Sequence, residues 1–130
     1  MTERNNQTSS VTKMSEQILE RGEIALVVTL LSGPGSIGAK MLVHEKGATT
    51  GSLGDLDSWV VEKATGFLAS REETRMFTVG DTSLLFERLE PARRLVVCGA
   101  GHVGASLARL AAFTGYHTTL IDDRAEFLKR

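Results

Sequence analysis

The stretch that most constrains this chain begins with a short apolar run, Leu95, Val96 and Val97, and continues into Gly99-Ala100-Gly101-His102-Val103-Gly104. An alanine- and leucine-rich segment with helical spacing follows over residues 105–114. A second apolar run then ends at Asp122 and Asp123. Strand, glycine turn, helix, strand and acid, in that order, predict the opening βαβ unit of a Rossmann domain. Gly99 permits the tight turn, Gly101 lets the backbone approach a pyrophosphate, and Gly104 lets helix and strand pack closely. The helix directs its free N–H groups and the positive end of its dipole at phosphate. Asp122, 18 positions beyond Gly104, stands where a carboxylate accepts hydrogen bonds from a ribose 2′-OH. His102 lies inside the turn, at the mouth of the expected pocket, and is a candidate ligand contact. The same glycines also serve strand–helix packing in a domain that binds nothing, so ligand binding is an expectation separate from the fold.

The 130-residue chain reaches Arg130 just after the second strand. A lone βαβ unit leaves a sheet edge unpaired and a helix face uncovered. Two explanations stand: a chain truncated within its Rossmann domain, which is the favoured one, or strands supplied by another copy or partner. A net charge of −1 offers no basic field for nucleic acid or an anionic membrane. One cysteine excludes an internal disulfide and fits a reducing, cytoplasmic setting. The polar first ten residues contain no secretory h-region, and the longest apolar run, residues 24–31, is far below the ~18 residues of a membrane span.

Taken in order, residues 1–9 read as a disordered tail. Ser10 or Thr12 is placed to cap a helix running through Arg21, with Gly22 as its stop. Residues 23–31 read as a buried strand, followed by the glycine loop Ser32-Gly33-Pro34-Gly35-Ser36-Ile37-Gly38-Ala39-Lys40. A hairpin is expected over 41–53, and a helix over 56–70 capped by Asp55 or Asp57. Gly66 weakens that helix, and close packing against the sheet would account for it. A second hairpin is expected over 74–89 around Gly80-Asp81. The fold class is therefore α/β: a disordered tail over 1–9, a small α/β domain over 10–90, a linker over 91–94 and a partial Rossmann-like βαβ unit over 95–130.

The Ser32–Lys40 loop fails as a nucleotide P-loop. Ala39 separates Gly38 from Lys40, and Met41 stands where a magnesium-binding hydroxyl is needed. Two readings of it remain, an anion site assisted by Ser36 and Lys40, or a plain turn. His44, His102 and His117 lack metal-ligand spacing, and no catalytic triad or paired carboxylates can be argued. Cys98 reads first as a small buried hydrophobe and second as a thiolate near a helix N-terminus.

Two blocks together resemble the XdhC/CoxI family, accessory proteins that mature molybdenum hydroxylases such as xanthine dehydrogenase and carbon monoxide dehydrogenase. The second block, from Val97 through the glycine turn to Leu120-Ile121-Asp122-Asp123-Arg124, is similar to that family's Rossmann opening, with the His in the turn and the Asp-Asp-Arg ending as its discriminating details. The first block, the loop from Ser32 to Val43 followed by Thr50-Gly51-Ser52-Leu53-Gly54, resembles the family's glycine loop and its GSxG turn. The resemblance covers roughly residues 20–127. It implies molybdenum cofactor (molybdopterin) bound by Ser36, Gly38, Lys40, Gly51 and Gly54 and by Gly99, Gly101, His102, Gly104 and Asp122. It also implies help in the cofactor's sulfuration and insertion into an apo molybdenum hydroxylase, with a sulfur donor protein and a homodimer as partners. Such a protein is a chaperone more than a turnover enzyme. The segment Asp55-Leu56-Asp57-Ser58-Trp59 carries no cysteine, so a family-type cysteine contact does not carry over. The alternatives are an NAD(P)-dependent oxidoreductase fragment, resting on the fingerprint and Asp122, and a non-catalytic interaction subunit in which both glycine segments are turns.

Overall fold

The computed structural model describes residues 2–129. The chain divides into two compact units, Met1–Pro91 and Ala92–Arg130, each described by itself.

In the first unit, helix α1 spans Thr2–Arg21. It thus occupies residues expected to form a tail. The hydroxyls expected to cap it lie inside it instead: Ser10 donates to the Gln7 carbonyl at 2.8 Å and Thr12 to the Thr8 carbonyl at 2.9 Å. Such back-bonding lets Ser and Thr sit within a helix. Gly22 ends the helix with φ +71°.

Strands β1 (Ala25–Ser32), β2 (Lys40–His44), β3 (Thr49–Gly51), β4 (Thr74–Val79) and β5 (Thr82–Leu89) form one antiparallel sheet in the order β3-β2-β1-β5-β4. Central β1 is buried on both faces, as a continuous Ile/Val/Leu run predicts. Its alternate residues feed two separate clusters. Ala25, with Leu42 of β2, meets Val11 and Ile18 of α1. Leu26, Val28 and Leu30, with Met41 and Val43, meet Val60, Ala64 and Phe67 of α2, the helix Asp57–Ser70. The unit is thus three layers, with a helix on each face of the sheet. Phe86 of β5 is fully buried among Trp59, Phe67 and Phe77, with ring centroids 4.6–6.1 Å away.

Two local expectations are corrected. No side chain caps α2; its first residue, Asp57, reaches back, accepting hydrogen bonds from the Ser52 hydroxyl at 2.7 Å and the Leu53 N–H. Gly66 has open space where a Cβ would stand, so close packing does not account for it.

The second unit is β6 (Arg94–Cys98), α3 (His102–Phe113) and β7 (His117–Ile121), the two strands paired in parallel with Val97 opposite Leu120. This is a βαβ crossover, and the chain as a whole is mixed α/β. Val97, Ala100 and Ala111 are buried between sheet and helix. The opposite face of the strand pair exposes Val96, Cys98 and Ile121. Cys98 is therefore not a buried hydrophobe, because the strand alternation that buries Val97 turns its neighbours the other way. Helix α3 also exposes apolar groups, Val103 at 83% and Phe113 at 90% among them.

Candidate functional site

The glycine turn of the second unit has a different physical requirement at each position. Gly99 adopts φ +108°, a region that L side chains rarely enter. A Cβ at 104 would run into the Gly99 carbonyl oxygen, so close passage of helix over turn demands glycine there. Gly101 differs from both. Its φ is −63°, open to any residue, and a Cβ there would meet no protein atom within 4 Å. Among the described residues, neither backbone conformation nor packing calls for glycine at 101.

Gly101 is also the N-cap of α3, and no side chain caps the helix. The Ala105 N–H bonds to the Gly101 carbonyl at 2.9 Å. The N–H groups of the first turn, His102, Val103 and Gly104, precede any intrahelical partner. They stand at the positive end of the helix dipole, an arrangement suited to an anion.

Beside the turn is a cavity of about 480 Å³, bounded by Gly101, His102, Ser106 and Arg109 of α3 and its approach, with Thr118 of β7 and Phe127 beyond it. His102 heads α3 and is exposed at this cavity. Sequence reasoning picked out His102 and missed Ser106 and Arg109. Their spacing of four and then three residues, which sets them on one flank of a helix, was the signal that would have found them.

Asp122 follows β7, and its carboxylate is bound within the chain. One oxygen accepts from the Ala100 N–H at 2.6 Å and from Arg124 Nη2 at 3.1 Å; the other accepts from the Arg124 N–H at 2.8 Å and Nε at 3.0 Å. Its side chain is 1% exposed, whereas that of Asp123 is 98% exposed. The Arg124 guanidinium, then the Ala100 and Arg124 backbone N–H groups, hold the Asp122 carboxyl well below the usual range. The same contact raises the pKa of Arg124, whose guanidinium also lies over the Phe127 ring at 4.1 Å. The role of Arg124 was likewise not legible beforehand, since its partner is set by the fold at the strand end.

The candidate residues of the first unit are distributed differently. The loop from Gly33 to Ala39 is the connection of the β1–β2 hairpin. Gly38 N–H donates to the Leu30 carbonyl at 2.8 Å and Ala39 N–H to the Ser36 carbonyl at 2.9 Å. These two amides are thus engaged by the chain. Ser36 and Gly38 are exposed in the loop, but Lys40 is the first residue of β2, its ammonium donating to the Thr29 hydroxyl at 2.7 Å. Gly51 lies in β3 with φ +81°, where a Cβ would strike the Lys40 carbonyl oxygen and Val11, so packing explains it. Gly54, with φ +69°, opens the single turn before α2 and has open space around it.

A strand–glycine turn–helix–strand unit with an uncapped helix N-terminus, carried on a chain with a separate antiparallel unit, defines a protein that bears a Rossmann-type βαβ unit. The family models sharpen that class. The XdhC and CoxI family model matches residues 18–80 and the XdhC Rossmann domain model matches residues 95–130. The two matches do not overlap and together take in most of the sequence, so the chain belongs to the XdhC/CoxI family. A crystal structure from Bacillus halodurans described as a xanthine dehydrogenase is similar at 15% identity and a TM-score of 0.46, covering 91% of this chain. The chain spans 64% of the length of that one. No curated protein matches the chain. Among the described residues no helix is long and apolar enough to cross a membrane.

Proposed function

We propose that the protein is a maturation factor for a xanthine dehydrogenase- or carbon monoxide dehydrogenase-type hydroxylase, binding molybdenum cofactor and assisting its sulfuration and insertion. Family membership supports the hydroxylase connection. The observation that carries the binding part is Gly101, a glycine that neither its backbone conformation nor packing among the described residues requires, set at a helix N-terminus with no side-chain cap. A phosphate is the group whose approach a side chain at 101 would obstruct, and molybdopterin carries one. The cofactor supplies the metal and its exchangeable ligand. The residues that would hold it are Gly101 and the first-turn amides of α3, with His102, Ser106 and Arg109 along the adjoining cavity. Ser36 and Gly38 remain exposed for a second contact, with less support, because the neighbouring amides are bonded within the hairpin.

The protein acts in the cytoplasm, as a homodimer, on an apo-hydroxylase and together with a sulfur donor. The test is to purify it from cells that make the cofactor, assay bound pterin by fluorescence, and measure activation of an apo-hydroxylase. Bound pterin with a gain in activation supports the reading. Absence of pterin together with no effect on activation overturns it. Hydroxylase co-purification without any small ligand would instead favour a non-catalytic interaction subunit.

A further inference from the structure

Four donor contacts converge on the Asp122 carboxylate, and a carboxylate has about four lone-pair sites. A ribose hydroxyl at this position would have to displace one of them from an almost completely enclosed group. The contact at 2.6 Å ties the strand end after β7 to Ala100, in the middle of the glycine turn. We propose that Asp122 is a positioning residue that latches the glycine turn and makes no contact with ligand, so that the turn recognises phosphate and gains nothing from a ribose diol.

Three features support this. The Ala100 N–H is directed at Asp122, which fixes the peptide planes leading into Gly101 and the first turn of α3. Arg124 compensates the Asp122 charge with a two-point contact, so the carboxylate does not oppose a phosphate bound nearby. Arg124 is itself held over the Phe127 ring, which favours the latched arrangement. The preference for phosphate rests on the reading of the turn as a phosphate site; the latch does not.

The test uses the full chain. Backbone amide exchange at Ala100 is measured by NMR in the wild type and in Asp122→Ala, and calorimetry is run with inorganic pyrophosphate and with NAD. Loss of a charge-assisted bond should speed Ala100 exchange about tenfold or more, while amides in the middle of α3 keep their rates. Wild type should bind NAD no more tightly than pyrophosphate, and Asp122→Ala should weaken both alike. Unchanged Ala100 exchange in the variant overturns the latch. NAD binding at least tenfold tighter than pyrophosphate, with that advantage alone lost in Asp122→Ala, overturns the preference and restores Asp122 as a ribose contact. Should neither ligand bind wild type, the phosphate reading of the turn fails, and the exchange data still decide the latch. Should Asp122→Ala not fold, a carbon-detected titration of wild type decides it. A latched Asp122 carboxyl stays charged below the ordinary aspartate range, whereas a free one titrates within it.

Discussion

Two glycines three residues apart in one turn separate folding from binding. At 104 a methyl group collides with the Gly99 carbonyl, so Gly104→Ala should cost the second unit ~2–4 kcal/mol. At 101 the same methyl group enters open space, and the cost should be within ~1 kcal/mol, set by alanine's poorer N-capping. Denaturant unfolding measures both costs. Pterin retention should fall at least about tenfold in Gly101→Ala, since the obstruction lies where a phosphate would sit; undiminished retention would detach the turn from the cofactor. Acid also acts at the residue scale. The Asp122 pKa is lowered in the folded state, so between that value and the ordinary aspartate value the unfolded chain binds the extra proton. Its stabilising effect is complete above about pH 4 and is lost as the pH falls towards the lowered value. Asp122→Asn should therefore flatten the acid limb of the stability–pH curve for the second unit, as followed by circular dichroism during unfolding. An acid limb of unchanged steepness would show that other groups cause it.

Helices and strands depend on contacts that sequence spacing reveals only in part. Asp57 is the first residue of α2, yet its bonds run backwards to Ser52 and Leu53. Asp57→Ala should cost ~1–3 kcal/mol, as loss of a carboxylate hydrogen-bonded to part-buried groups does, and should speed amide exchange at Leu53 while leaving the middle of α2 protected. The hairpins at Gly47 and Gly80, the buried strand β1 and the βαβ order were legible in the sequence, because local turn chemistry and an apolar period determine them. The start of α1 was not, since Ser10 and Thr12 serve caps and helix interiors with the same hydroxyl. Nor was the engagement of the β1–β2 loop. Glycines show where a backbone is free to turn, but not whether its N–H groups face a ligand or the chain's own carbonyls. Of the candidate site, Gly99, Gly101, His102 and Gly104 could be placed from their spacing, whereas Asp122 and Lys40 are engaged by partners, Arg124 and Thr29, that only the fold brings near.

At the scale of the whole molecule, the two units differ in how completely they enclose their apolar groups. The first buries its sheet beneath a helix on each face. The second leaves Val96 and Ile121 open on the strand pair, and Val103, Leu110 and Phe113 open on α3. Groups of this kind favour association, which is consistent with the proposed homodimer. Light scattering across a concentration series should give twice the chain mass, and a monomer at every concentration would count against it. The uncovered strand face has one more consequence. It carries Cys98, the sole cysteine of the chain, with its thiol accessible and one residue from Gly99. A single environment-sensitive dye attached there would need no engineered background, and its emission would report on whatever covers that strand face.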